Sequence, residues 1–207
     1  MTTNRDRSDD LQSAATGRGA YLRYGIWIAL LTFALDQTHK WWMILIYKIE
    51  ERGRVVVTPF LDLVYVLNKG ISYGMLTGSD QAWQNGLAAF AVLASLGLAV
   101  WLARSVDNRL LAASVGLIIG GALGNALDRV LLGGVADFFS LHAFGFYWYV
   151  FNIADVAIVA GVVGLIIDSF WPSGRAVSEY RDTPASGKTP DSPDATKPAQ
   201  LRRRVGP

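Results

Sequence analysis

Apolar residues along this chain gather into four long blocks, at about Tyr24 to Tyr47, Ala82 to Leu102, Leu110 to Leu132 and Tyr149 to Trp171. A helix needs about 20 such residues to cross the hydrocarbon core of a bilayer. The pattern predicts an all-α integral membrane protein with four transmembrane helices. The first block is too long for the apolar part of a cleaved signal peptide, holds Asp36 and Lys40, and lacks an A-x-A-like exit, so it is expected to remain as a span. Between the first two blocks, "RVVVTPFLDLVYVLNKGISYGML" turns β-branched and aromatic, with turn signals at Pro59 and Asn68-Lys69-Gly70. It reads as a small β-containing outer segment, short strands lying against the membrane surface and then a turn. Residues 1–23 and 172–207 are polar, and the second stretch is rich in Pro, Ser and Thr; both are expected to be disordered tails flanking a membrane domain at 24–171.

Charge sets the direction. With the N-terminus cytoplasmic, thirteen of the 19 Lys/Arg fall on the cytoplasmic side, and six (Lys40, Lys48, Arg52, Arg54, Lys69, Arg129) fall outside. This bias predicts that both termini are cytoplasmic. All seven Trp lie at ends of the expected spans, where an amphipathic ring suits the membrane–water interface. Composition then narrows the chemistry. The chain has no Cys and two His, His39 and His142, so thiol nucleophiles, disulfides and multi-histidine metal sites are excluded. Neither His has a nucleophile motif beside it, and both read as interfacial or hydrogen-bonded residues. A net charge of +2 gives no argument for nucleic acid.

Ionisable residues inside spans are functional candidates, because each is costly unless paired or hydrated. At 1.5 Å per residue, Asp128 lies ~6 Å and Asp155 ~9 Å below the outer boundary, with Asp137 in the connection near the same level. Asn125 and Asp128, and likewise Asn152 and Asp155, are spaced i, i+3, so each helix presents an amide and a carboxylate on one face. Asp36 and Lys40 are spaced i, i+4 and suit a structural ion pair. Gly116, Gly120 and Gly124 permit close approach of a neighbouring helix. Arg129 is expected to pair with a carboxylate or with lipid phosphate, and Asp168 to snorkel at the inner end of the last helix. Two nearby carboxylates in a partly dry place share a proton, which is the logic of aspartic proteases. Spacing alone leaves Asp128–Asp155 and Asp137–Asp155 both open as the pair. It also leaves open a proton- or ion-coupled transporter and a non-catalytic scaffold.

Five ordered pieces carry a resemblance: "DQTHK" at Asp36 to Lys40, "NKGISYG" at Asn68 to Gly74, "GGALGNALDR" at Gly120 to Arg129, "GGVADF" at Gly133 to Phe138, and "FNIAD" at Phe151 to Asp155. Together they resemble lipoprotein signal peptidase (signal peptidase II), a family of bacterial membrane aspartic proteases. The resemblance implies removal of the signal peptide from prolipoproteins just before a diacylglyceryl-modified cysteine, in the inner membrane, at a site near its outer face. It implies Asp137 and Asp155 as the catalytic residues, with Asn125, Asp128, Arg129 and Asn152 in support and Asn68 and Gly70 shaping the substrate site. Asp36 and Lys40 join the supporting set. It implies no metal or cofactor, and its partners are the lipid-modified substrate and membrane lipid. Lys69 and Tyr73 depart from a commoner N-T-G-x-[AS]-F form, which bears on substrate contacts.

Overall fold

The computed structural model describes residues 4–70 and 80–170, with side chains placed from residue 19 onward. Helix α1 (Asn4–Trp41) begins well before the expected start of the first span, runs into one π-helical turn at Trp42–Ile46, and is followed by the short helix α2 (Ile49–Arg52). Strands β1 (Val55–Thr58) and β2 (Leu61–Asn68) come next, then α3 (Gln81–Ser105), α4 (Arg109–Leu132), β3 (Val135–Ala143), β4 (Phe146–Phe151) and α5 (Ile153–Phe170). The residues expected to form the C-terminal tail lie outside the described residues.

Local chemistry sets the helix ends. The carboxylate of Asp80 accepts the Trp83 N–H at the start of α3 (3.3 Å), and Asn108 Oδ1 accepts the Leu111 N–H at the start of α4 (2.8 Å). Both satisfy amide donors that an N-terminal turn leaves open. Helix α4 stops at Gly133, whose φ of 73° supplies the left-handed residue common after a helix.

Helix α4 is central and packs against α1, α3 and α5. Its glycines permit the close approach expected of them, Gly116, Gly120 and Gly121 toward neighbouring backbones and Gly124 toward the Asp36 carboxylate. A Cβ at Gly116 or Gly120 would run into the carbonyl of Gly25 or Ala29 on α1, and one at Gly121 into the carbonyl of Ala154 on α5. Near the Asn108 end the core is Leu102, Val106, Ala112, Val115 and Ile119. There Asn108 Nδ2 also donates to Asp168 Oδ1 (2.9 Å), so Asp168 ties the end of α5 to the start of α4 rather than simply snorkelling.

The strands form one antiparallel sheet in the order β1-β2-β3-β4. This amends the expected all-α description. Only half of the sheet comes from the segment between the first two long helices; β3 and β4 come from the connection before α5. The run at 135–151 is continuously apolar and aromatic, and periodicity alone does not separate a short buried strand from a helix segment. Two facts decide for strands. Aromatic and β-branched residues suit a pleated surface, and Phe144-Gly145, both with positive φ (52° and 80°), make the two-residue turn that joins Ala143 to Phe146. Residues 149–151 therefore end β4, and the last long helix starts at Ile153 rather than Tyr149.

Among the described residues three helices, α3, α4 and α5, are long and apolar enough to cross a membrane. The polar cluster Asp36, Gln37, His39 and Lys40 lowers the apolar character of α1 at one end. Its other turns expose Trp27, Leu30, Leu31 and Leu35, each more than half accessible.

Candidate active site

Asp155 is held by a reciprocal cap. Asn152, the residue before α5, accepts the Asp155 N–H at Oδ1 (3.0 Å), while Asp155 Oδ2 accepts the Asn152 N–H (3.2 Å). This is a capping box with an amide and a carboxylate in its two roles. It explains the i, i+3 spacing and places Asp155 in the first turn of α5, where the helix dipole favours a negative charge. Because α5 starts at Ile153 rather than Tyr149, Asp155 lies only ~3 Å along the helix axis from that start.

Asp137 comes from the sheet. In the register, Val66 faces Asp137 and Asn68 faces Val135, so Asn68 and Asp137 are diagonal neighbours on one face. Asn68 Nδ2 donates to Asp137 Oδ2 (3.2 Å) and to the Tyr149 hydroxyl (3.1 Å); Asn68 Oδ1 accepts the Gly70 N–H (3.1 Å), which fixes the turn after β2. On the opposite face Phe138 fills a core with Met43, Ile49 and Ala136.

The carboxylates meet through two amides. Asn152 Nδ2 donates to Asp137 Oδ1 (2.6 Å) and Asn125 Oδ1 (3.2 Å), and Asn125 Nδ2 donates to Asp155 Oδ1 (2.9 Å). Asp137 is 1% exposed. Burial, and then the negative charge of Asp155, push its carboxyl up to about 7; hydrogen bonds from Asn68 and Asn152 and the charge of Lys40 offset part of the rise. Burial, with the charges of Asp155 and Asp137, pushes the Tyr149 hydroxyl up to about 12, so it stays protonated at neutral pH. Beside Asp155 an apolar groove of about 380 Å³ opens between Tyr149, Phe151, Val156, Val159 and Ala160.

Asp128 faces elsewhere. Its Oδ2 pairs with Lys40 Nζ (2.7 Å) and accepts the Ala136 N–H (3.2 Å), and its Oδ1 accepts from Gln37 Nε2 (3.0 Å). The expected Asp36–Lys40 pair is present at 2.8 Å, with both residues buried, and Lys40 also donates to Asn125 Oδ1 (3.0 Å). Of the two pairings that spacing leaves open, the geometry brings Asp137 and Asp155 together and turns Asp128 toward Lys40. Arg129 departs from expectation: its guanidinium donates to the carbonyls of Asn125 (3.1 Å) and Gly70 (3.2 Å), joining α4 to the turn after β2. Both His lie among aromatic rings. His39 stacks on Phe139, and His142 sits against Tyr147 with Nε2 3.2 Å from Asp62 Oδ1. Ser72 and Tyr73 lie outside the described residues. Gln37 and Tyr149 were not anticipated. Gln37 stands inside the "DQTHK" piece without a role of its own there, and Tyr149 is hidden at the start of an apolar block.

A family model described as signal peptidase (SPase) II matches residues 28–171. The chain belongs to the signal peptidase II family. It is therefore a peptidase, a membrane hydrolase of the aspartic class. A lipoprotein signal peptidase of Methylocella silvestris is 48% identical over 152 residues, 73% of this chain and 88% of that protein. One of Beijerinckia indica is 49% identical over 142 residues, 69% of this chain and 84% of that protein. Two bacterial membrane enzymes solved by the in meso method share the fold. The first, at 2.3 Å resolution, has a TM-score of 0.62 at 27% identity and covers 81% of this chain and 94% of its own. The second, at 1.9 Å, has a TM-score of 0.60 at 30% identity and covers 71% and 92%. In this signal peptidase II chain, the motif residues Asp36, Lys40, Asn68, Asn125, Asp128, Asp137, Asn152 and Asp155 are joined in one network of hydrogen bonds and ion pairs.

Proposed function

We propose that this chain removes the signal peptide of diacylglyceryl-modified prolipoproteins, cleaving before the lipid-modified cysteine, with Asp137 and Asp155 as the catalytic pair. The observation that carries the reading is the amide-linked pair of carboxylates beside an apolar groove at the start of a membrane helix. Asp155, at a helix N-terminus, is the carboxylate; Asp137, on a strand, buried and raised to about 7, holds the proton of the pair. Asp155 takes a proton from water as the water oxygen bonds to the scissile carbonyl carbon, and Asp137 gives its proton to the carbonyl oxygen. On collapse the C–N bond breaks, Asp155 returns its proton to the departing amine, and Asp137 recovers one from a hydroxyl of the tetrahedral intermediate. Asn68 and Asn152 orient Asp137, Asn125 and Asn152 orient Asp155, and Arg129 holds Gly70 beside them. Tyr149 and Phe151 frame the groove, whose apolar walls suit an acyl chain or an apolar signal-peptide segment.

In this reading α1 is a fourth crossing. Its exposed Trp27, Leu30, Leu31 and Leu35 face lipid, and its polar end is satisfied inside the protein by Asp128, Asn125 and the first turn of α5. Both termini are cytoplasmic in the bacterial inner membrane, and the sheet lies at the outer face, level with a substrate cysteine anchored in the outer leaflet. Enzyme and substrate then share one leaflet, which raises their effective concentration.

The test is reconstitution with a diacylglyceryl-modified prolipoprotein, with cleavage followed by gel shift. Cleavage is expected to survive a metal chelator and to vanish in Asp137→Asn and Asp155→Asn. Full activity in either variant refutes the pair. Substrate-independent proton flux without cleavage would point to transport instead.

A further inference from the structure

Among three buried charges that form no hydrogen bond or ion pair with the Asp137 or Asp155 side chains, two grip the backbone beside those residues and the third joins the two. Asp36 Oδ1 accepts the N–H of Ala154, the residue before Asp155 (3.0 Å). Asp128 Oδ2 accepts the N–H of Ala136, the residue before Asp137 (3.2 Å). Lys40 joins these two carboxylates, at 2.8 Å and 2.7 Å, and spends its third N–H on Asn125 Oδ1. An ammonium has three donors and no acceptor, so all three are used and the atom of Asn125 that faces it must be oxygen. That leaves the Asn125 NH2 for Asp155, as found. All three charged side chains are at most 3% exposed.

A buried ion cluster of this kind is expensive. Desolvation offsets much of the mutual attraction, and apolar residues of similar volume often give equal or greater stability. Stability alone therefore gives a weak reason for it. Its connectivity gives a better one. Asn152 and Asn125 join the two side chains, and β4 leads from the strand bearing Asp137 to the helix bearing Asp155, but neither ties both backbones to the α1–α4 pair, as Asp36 and Asp128 do.

We propose that Asp36, Lys40 and Asp128 form a positioning triad, a calliper that sets the separation of Asp137 and Asp155 by holding the N–H just before each. This rests on the catalytic pair proposed above. None of the three residues touches substrate. The charged and titratable groups around the pair are Lys40 and Asp36 from α1, Asp128 and Arg129 from α4, and Tyr149 from β4.

The test uses the full chain in detergent or lipid. Lys40→Met/Asp128→Asn keeps the net charge of the triad and removes its bridge; Asp36→Asn, which retains an oxygen for the Ala154 N–H, is the milder change. For the double variant, kcat is expected to fall about hundred-fold, the effect of roughly 1 Å of misplacement, with KM within a few-fold and native circular dichroism. The infrared carboxyl bands of the pair are expected to titrate in two steps that lie closer together than in wild type, because carboxylates further apart repel less; loss of the Lys40 charge moves both steps together and leaves their gap to report the separation. Asp36→Asn is expected to show the same changes at about ten-fold in kcat. A folded double variant with wild-type kcat and an unchanged gap between the two titration steps overturns the proposal. So does a loss of kcat that disappears at a temperature where the variant is fully folded. Failure of both variants to fold assigns the triad to the fold itself and also overturns it. The infrared titration needs no substrate, so it stands apart from the functional reading; that reading fails instead if the wild type cleaves no prolipoprotein.

Discussion

Asp137→Asn is expected to abolish cleavage and yet stabilise the protein above neutral pH. The Asp137 carboxyl is raised from 3.8 to about 7 in the folded chain. Below 3.8 both folded and unfolded chains hold the proton, so the carboxyl imposes no difference. Between 3.8 and about 7 only the folded chain holds it, so stability falls as pH rises; above about 7 the loss is complete and constant. At about 1.4 kcal/mol per pH unit, the gap amounts to a cost on the order of 4 kcal/mol above pH 7. The amide variant cannot ionise and escapes that cost. It adds another, because its NH2 faces the Asn68 amide donor that Asp137 Oδ2 accepts at 3.2 Å. Such a mismatch costs about 1–2 kcal/mol. The net gain is about 2–3 kcal/mol near pH 8 and turns into a loss of about 1–2 kcal/mol near pH 4. For a chain of this length the melting temperature moves about 2–4 °C per kcal/mol. The assay is thermal unfolding in detergent, followed by the fluorescence of the seven Trp across this pH range. The stability curves of variant and wild type should cross. Curves that stay parallel, or a variant less stable at every pH, would refute the buried, raised carboxyl from which the catalytic assignment starts.

Asn152→Ala should cost about 1 kcal/mol from the lost cap and reduce kcat at least ten-fold. Asn152→Ser should recover stability but not activity, because a hydroxyl caps α5 without linking Asp137 to Asn125; unfolding and cleavage assays on the two variants separate these effects. Gly124→Ala places a Cβ 2.6 Å from Asp36 Oδ2, a carboxylate pinned by Lys40 and Ala154, and should destabilise by about 1–3 kcal/mol. Gly97→Ala, in open space on α3, should instead be neutral or stabilising by up to about 1 kcal/mol, read in the same unfolding experiment. If Asp137 is the proton donor proposed above, the cleavage rate should decline as pH rises through about 7, where its carboxyl ionises; a rate still rising through that range contradicts the assignment.

Much of this was written locally. Long apolar blocks locate α3 and α4 to within a few residues, since the length of an apolar run is a property of the run itself. The β-branched stretch before Asn68 reads correctly as strands, and the i, i+3 pair Asn152–Asp155 proves to be a cap, a device closed within one helical turn. The five motif pieces fixed the family, because their order along the chain needs no coordinates. What the tertiary structure decided is whatever depends on a distant partner. The apolar run at 135–151 carries its own turn at Phe144-Gly145, but β2, far back in the chain, pairs with it and makes it part of a four-stranded sheet. Asp128 and Asp137, equal candidates by spacing, part company because Lys40, far away on α1, reaches one of them while Asn68 and Asn152 hold the other. Arg129 finds backbone carbonyls rather than a carboxylate for the same reason. Burial and hydrogen bonding assign these charges their roles, and both are set by which segments the fold brings together.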